Sequence, residues 1–337
     1  TRRPPHHTLD AALMNPPTHA WLKWPGASQN EIIDFNNKLA KLSKRVVSPP
    51  RSIDWVFLDE LGIKSRVEEM ILVQIRGMDR FTSLAWRRSF GLQENVYREW
   101  CLEFFATLDF DMKVKSSQLH AQKCISFWLG GQSRSMTLKE FSVLTGLYTR
   151  EEVVDRYFDT FLAEGQTDRG GFDIDSYWNE ISGEPRFRKS RSLASHIKKP
   201  ILRVILKMLT YSFIQRSTGH DKMYHEDLWL LNLFDKGDSS RYANVPWVLV
   251  RHMVSRASGT QADSQICCGH FVTRIARSLG LVDQASMAPC SPATDMKLID
   301  KKVFDMAKLI NRVTEKLIGE SEGSSAPVTS ATQVPPK

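Results

Sequence analysis

Between Cys124 and Glu152 the hydrophobic and polar positions change period repeatedly. Ile125, Phe127 and Leu129 alternate with Cys124, Ser126 and Trp128. Period two with aromatic and branched residues predicts a strand. Gly130 and Gly131 follow, and paired glycines supply the positive φ angles of a two-residue hairpin turn. Residues 133–136 return as the partner strand. Thr137-Leu138-Lys139-Glu140 is a capping box, in which Thr137 accepts from an early helix N–H and Glu140 reaches back. Leu138, Phe141, Leu144 and Thr145 then recur at helical spacing, and Gly146 stands where a left-handed cap is expected. Thr149-Arg150-Glu151-Glu152 repeats the box and opens a helix with Val153, Val154, Tyr157, Phe158, Phe161 and Leu162 on one face.

Elsewhere the helical period dominates. Residues 1–27 are Pro-rich and aperiodic, which predicts disorder, with a hydrophobic anchor at Trp21 and Trp24. Ser28 caps a helix carrying Ile32, Ile33, Phe35, Leu39 and Leu42, and Pro49-Pro50 ends that unit. Short helices are expected at 53–61, 65–76 and 82–87, and a strong one at 94–108 with Val96, Trp100, Cys101, Phe104, Phe105 and Leu108 on one face. Phe110, Met112 and Val114 alternate with charged residues and predict a third small strand. The run GQTDRGG after Glu164 reads as a flexible joint near 165–172 between two lobes. A turn of helix at Tyr177, Trp178 and Ile181 precedes a basic loop at 183–199. Pro200 suits a helix N1 position and begins a largely buried helix. Further helices are expected at 226–235, 246–257, 264–279 and 299–318, before a disordered tail at 319–337. The fold class is mainly α: a helical globular body at 52–318 with a small antiparallel sheet, its hairpin near 124–136. Residues 1–51 are expected to be a mostly disordered segment with one helix.

Composition changes this picture little. Of 337 residues, 42% are hydrophobic and 25% charged, as in ordinary globular domains. No run of about 18 apolar residues is present to span a bilayer, so no membrane partner is expected. Five cysteines without a scaffold-like rhythm predict free thiols in a reducing compartment, nuclear or cytoplasmic. The chain begins at Thr1, and a fragment or processed interior piece is expected.

Several pieces lie in a characteristic order. They are Val96-Tyr97-Arg98-Glu99-Trp100-Cys101-Leu102-Glu103-Phe104-Phe105, Asp109-Phe110-Asp111-Met112, the 124–152 stretch, Tyr177-Trp178-Asn179-Glu180-Ile181-Ser182-Gly183, the run 201–219, and Glu226-Asp227-Leu228-Trp229-Leu230-Leu231. Together, over roughly residues 52–310, they resemble the first-open-reading-frame protein of Athila-type plant retrotransposons and the related plant transposon protein domain. A second similarity, to the plant mobile domain, rests on the hairpin-then-helix piece alone. Both resemblances imply transposable-element descent. Neither carries an assigned set of catalytic residues, so none is transferred.

Charge is the strongest functional signal. The chain carries a net +8, yet residues 186–216 alone hold nine Lys or Arg and no Asp or Glu. Such a strip suits phosphate neutralisation, because each contacted phosphate releases condensed counterions. The candidate nucleic-acid-binding residues are Arg186, Arg188, Lys189, Arg191, Lys198, Lys199, Arg203 and Lys207. Phe187 and His196 lie among them, too few rings for a single-strand stacking platform. The competing reading is a solvated loop followed by a helix with a basic stripe at Arg203 and Lys207. Cys267-Cys268-Gly269-His270 invites a metal, but adjacent cysteines on a helix point about 100° apart. Cys290 or His252 would have to complete a tetrahedral set, so small buried side chains are the expectation. No zincin, P-loop or nucleophile-elbow motif occurs. Asp109-x-Asp111 and Asp173-x-Asp175 are candidate magnesium pairs of a degenerate transposase-like nuclease, the enzymatic alternative. Trp55, Trp86, Trp100, Trp178, Trp229 and Trp247 are expected in the core. The leading expectation is a non-enzymatic, element-derived protein that binds nucleic acid or self-assembles, without catalytic residues, metal, cofactor or small-molecule ligand. A nuclear protein-interaction scaffold is the remaining alternative.

Overall fold

The computed structural model describes residues 28–72, 79–216, 219–235, 242–257, 264–287, 290–299 and 303. In chain order its helices are α1 (Gln29–Ser43), α2 (Trp55–Glu60), α3 (Lys64–Ile71), α4 (Asp79–Phe90), α5 (Arg98–Thr107), α6 (Leu138–Leu144), α7 (Arg150–Val153), α8 (Phe158–Glu164), α9 (Ile174–Ser182), α10 (Pro200–Met208), α11 (His225–Asp235), α12 (Val245–Ala257), α13 (Gly269–Ser278) and α14 (Gln284–Met287). The strands are β1 (Arg51–Ile53), β2 (Asp109–Phe110), β3 (Ile125–Leu129), β4 (Gln132–Met136) and β5 (Lys297–Ile299). The fold is mainly α with a small antiparallel sheet in the order β2-β3-β4.

Helix α5 is the centre of the packing. Every residue from Glu99 to Ala106 is buried, and α1, α12, α13 and β3 all pack on it. Two carboxylates therefore lie inside. The Glu103 carboxylate accepts from Gly130 N at 2.9 Å and from Gly131 N at 2.8 Å. These are the turn residues of the hairpin, at φ 65° and 73°. The register pairs Leu129 with Gln132, Phe127 with Arg134 and Ile125 with Met136. Ile125, Phe127 and Leu129 face the core as the alternation requires. Both capping boxes form, at Thr137 and at Thr149, and Ser28 builds a third at the head of α1.

Several expectations are corrected. The packed body starts before residue 52, because α1 buries Phe35, Leu39 and Leu42. The helix expected from residue 53 begins at Trp55, with Asp54 accepting from Phe57 N. Arg51–Ile53 instead pairs in parallel with Lys297–Ile299, so Ile299 is a strand residue. The remainder of the helix expected at 299–318 lies outside the described residues apart from Val303, as do 1–27 and the tail. The third strand stops at Phe110, where Asp111 Oδ1 accepts from Lys113 N and leaves Met112 exposed. The helix opened by Thr149 is broken into α7 and α8, because Asp155 Oδ1 accepts from Tyr157 N. Such Asx turns compete with both strand and helix.

The joint expected at 165–172 is tied down: Gln166 N donates to Tyr242 O at 2.7 Å, and Asn244 N donates to Gln166 O at 2.9 Å. One hydrophobic cluster includes Phe161 and Leu162 before it and Trp178 and Ile181 after it. Trp86, Trp100, Trp178, Trp229 and Trp247 are buried, and Trp55 packs against the core half-buried. Helix α10 runs on into a π-helix, Leu209–Phe213, and ends at Gln215, at φ 41°. The Gln215 amide donates to Pro49 O at 2.8 Å and accepts from Cys268 N at 2.6 Å. Cys268 is itself at φ 62°, so one hydrogen bond joins two left-handed non-glycine residues. Cys267 and Cys268 are buried as expected, but α13 begins only at Gly269.

Burial pushes the Glu103 carboxyl up to about 7, outweighing Gly131 N, Gly130 N and the Arg134 charge. Between its ordinary value and about 7 the folded state holds a proton that the unfolded state has released. This group's contribution to stability therefore falls as pH rises through that window and is flat above it. Half-buried His252 and fully buried His270, both lowered to about 3 by desolvation first, act with the opposite sign as pH rises toward their ordinary value. The difference between wild type and Glu103→Gln isolates the glutamate. Urea denaturation at pH 5 and pH 8 should show wild type losing up to about 3 kcal/mol relative to the variant.

Candidate nucleic-acid interface

The basic loop is built on α9. Asp173 caps that helix by accepting from Ser176 N, and Gly183 closes it in the left-handed region at φ 81°. A side chain at residue 183 would strike Lys198 Nζ, 2.3 Å from the Cβ position. Asp175 Oδ1 accepts from Phe187 N at 2.8 Å. The Phe187 ring meets Trp178 edge-on at 5.8 Å and His225 at 5.0 Å, so it anchors the loop. Arg188 O then accepts from both Arg191 N and Ser192 N at 2.8 Å, while Ser192 Oγ accepts from Arg188 N. Farther on, Ala194 N donates to Asp221 O, Met223 N to Ser192 O and Lys198 N to Ile181 O.

The candidate cations divide into two sets. Arg186, Arg188, Lys189, Arg191, Lys198 and Lys199 are exposed. Lys199 is held by Asp235 at 2.9 Å, and the Lys189 ammonium lies 5.5 Å from the centre of the Tyr224 ring. Arg203 and Lys207 are buried, at 8% and 4% exposure, which removes the solvent-facing stripe from α10. Arg203 Nη2 donates to Ser195 O at 2.8 Å and Nε to Ile197 O at 2.6 Å. Lys207 Nζ donates to Asp221 Oδ1 at 2.9 Å and to His220 O at 3.3 Å. Arg216 is buried on Asp227 and also donates to Lys222 O at 3.1 Å. These three residues organise the loop and its neighbour rather than meet a ligand.

Arg186, Arg188 and Arg191, with Glu184, Pro185 and His196, line a groove of ≈ 580 Å³. Glu184 is its acidic member: its carboxylate accepts from the Trp178 indole at 3.0 Å and stands 2.7 Å from His196 Nδ1. Lys222, exposed on the segment that bridges to Leu193, adds a cation outside the expected run. Its proximity follows from the 193–222 pairing, which no local pattern announces. The positive surroundings register at His220, held down at about 4 by burial and then by Lys207, Arg216 and Arg51. Its ring stacks on Tyr211 at 4.0 Å.

The other candidates behave differently. Asp109 and Asp111 are both exposed, and Asp173 and Asp175 are occupied with the backbone N–H groups already named. Among the described residues no group of three or more His, Cys, Asp or Glu is placed to hold a metal ion, and no helix is long and apolar enough to cross a membrane. The chain matches no family model, no curated protein and no solved structure.

Replacing Arg203 with Met should unpair two carbonyls and cost about 3 kcal/mol. Limited trypsin digestion should then cut at Arg186–Arg191 faster than in wild type, while sites on other loops keep their rates.

Proposed function

We propose that this chain is a non-enzymatic protein of transposable-element descent that binds nucleic acid through its phosphate backbone, on the face presented by residues 186–199. The observation that carries the reading is the separation of cations. Buried Arg203, Lys207 and Arg216 fix the backbone, and Arg186, Arg188, Lys189, Arg191 and Lys198 project from it into solvent. A preorganised cationic surface loses less conformational freedom on binding than a flexible strip. Phosphate contacts position a duplex without reading its sequence, so binding is general. The half-buried Phe187 is engaged by Trp178 and His225, which leaves backbone charge as the main source of affinity. The five free cysteines support a reducing compartment, with the nucleus as the natural site for this activity. Descent is supported by the order of the resembling pieces, of which the 124–152 stretch forms the hairpin and its capped helices.

A titration with duplex DNA at two salt concentrations tests the binding. Affinity should fall with a slope near −0.9 per contacted phosphate on a double-logarithmic plot. The double variant Arg188→Glu/Arg191→Glu should flatten that slope by about two contacts without loss of fold, since only backbone atoms and Ser192 hold that turn. Absence of binding by wild type at low salt would remove the reading. Descent is tested separately by the genomic neighbourhood: protease, polymerase or integrase reading frames are expected beside this one, and a setting without them counts against it.

A further inference from the structure

A second opening is lined by other cations. It is a cleft of ≈ 660 Å³ whose walls include Arg87, Arg88, Arg274, Tyr148, Gly146 and Gln93, and its volume lies within the range of small-molecule pockets. The arginines come from α4 and α13, far apart in sequence.

Each guanidinium is tethered by a carboxylate. Arg88 is fixed by Glu152 through Nη1 at 2.5 Å and Nη2 at 2.9 Å, and it also donates to Leu147 O. Arg87 Nη2 reaches Glu68 at 3.2 Å and Arg274 Nη1 reaches Glu94 at 3.3 Å. Each of the latter contacts uses one N–H group. Arg87 Nε and Nη1, and Arg274 Nε and Nη2, have no acceptor among the described residues. A guanidinium carries five N–H donors, so most of the capacity of both is open. Glu94 is shared with Arg277, which holds it at 2.9 and 2.8 Å, and so compensates Arg274 only in part.

Gly146 explains why Arg274 can lie there. Its φ is 73°, and a Cβ on it would stand 2.8 Å from Arg274 Nε and 3.4 Å from Nη2. Those two donors thus lie directly over the glycine, in the wall of the cleft. The Tyr148 hydroxyl, on the same wall residue set, is buried without a hydrogen-bond partner, and burial keeps it protonated by raising its pKa. Leu92 and Val143 complete an apolar rim.

We propose that this cleft binds the phosphate group of a small phosphorylated molecule, with Arg87 and Arg274 as direct donors and Arg88 as the cation that positions the wall. Donors supplied to one cleft by two separate elements suit a tetrahedral anion with several oxygens, whereas a planar carboxylate is satisfied by one guanidinium fork. The apolar rim takes the organic part of the ester. The site stands independently of the basic loop.

Calorimetric titration of the full chain at constant ionic strength, with a nucleoside monophosphate, inorganic phosphate and acetate as probes, tests this. The monophosphate should bind more tightly than inorganic phosphate, and acetate least. Arg274→Gln should weaken the monophosphate about tenfold, and so should Arg87→Gln, whose side chain is mostly exposed and whose replacement spares the fold. Arg188→Glu/Arg191→Glu should leave this binding unchanged. A monophosphate that binds no tighter than inorganic phosphate overturns the phosphoester assignment. No heat with any phosphate probe at about 10 mM overturns the site. So does a loss of binding in the loop variant with none in the Arg274 and Arg87 variants, which places the anion on the loop.

Discussion

A buried guanidinium must find acceptors for its N–H groups or lose more than it gains by leaving water. Arg203 meets that condition by bonding the carbonyls of Ser195 and Ile197, and much of the candidate interface follows from it. The loop has to return over the start of α10 to deliver those carbonyls. That return brings Lys198 across Gly183 and sets Pro200 at the head of its helix. Lys207, one turn on, and Arg216, just past the end of the π-helix, impose the same discipline, drawing in His220, Asp221 and Lys222. A run of like charges is thereby resolved into an inner group that shapes the backbone and an outer group that meets solvent.

Two buried acids, Glu103 and Asp227, follow the corresponding rule with N–H groups. Glu103 receives the two amides of the hairpin turn, so the buried helix α5 fixes the sheet beside it. Asp227, fully buried, accepts from Tyr224 N at 2.8 Å and pairs with Arg216. It therefore links α11 to the end of the π-helix, from which Gln215 reaches Pro49 and Cys268. Breaking one partner of such a pair leaves a charge without compensation inside the protein, which costs far more than an exposed ion pair contributes.

What could be read from sequence was local. The Gly130-Gly131 turn, both threonine capping boxes and the Pro200 start depend on residues within four positions of one another. Elements that depend on distant partners were not legible. Arg51–Ile53 becomes a strand only because Lys297–Ile299 lies beside it, and Gln215 takes a left-handed conformation because Ser48, Pro49 and Cys268 supply its bonds. Arg203 and Lys207 looked like a solvated stripe because cations four apart on a helix usually are. Their burial depends on carbonyls presented by another loop. Asp111 and Asp155 ended a strand and a helix that periodicity extended, since an Asx side chain can outbid the backbone at a single residue. The exposed loop cations were legible as a charge run, whereas Lys222 joins them through a pairing seen only in three dimensions.

A basic surface held in place from within is the proposed seat of nucleic acid. Hydrogen exchange of the full chain with and without saturating duplex DNA tests it most directly. The loop amides already bonded to Arg188 O, Asp221 O and Ile181 O should exchange slowly in the free protein. Addition of duplex should slow exchange further across 185–199 and 219–224, leaving β3, β4 and α5 unchanged. Fast exchange throughout the loop before DNA is added, or protection that maps elsewhere on the protein, would contradict it.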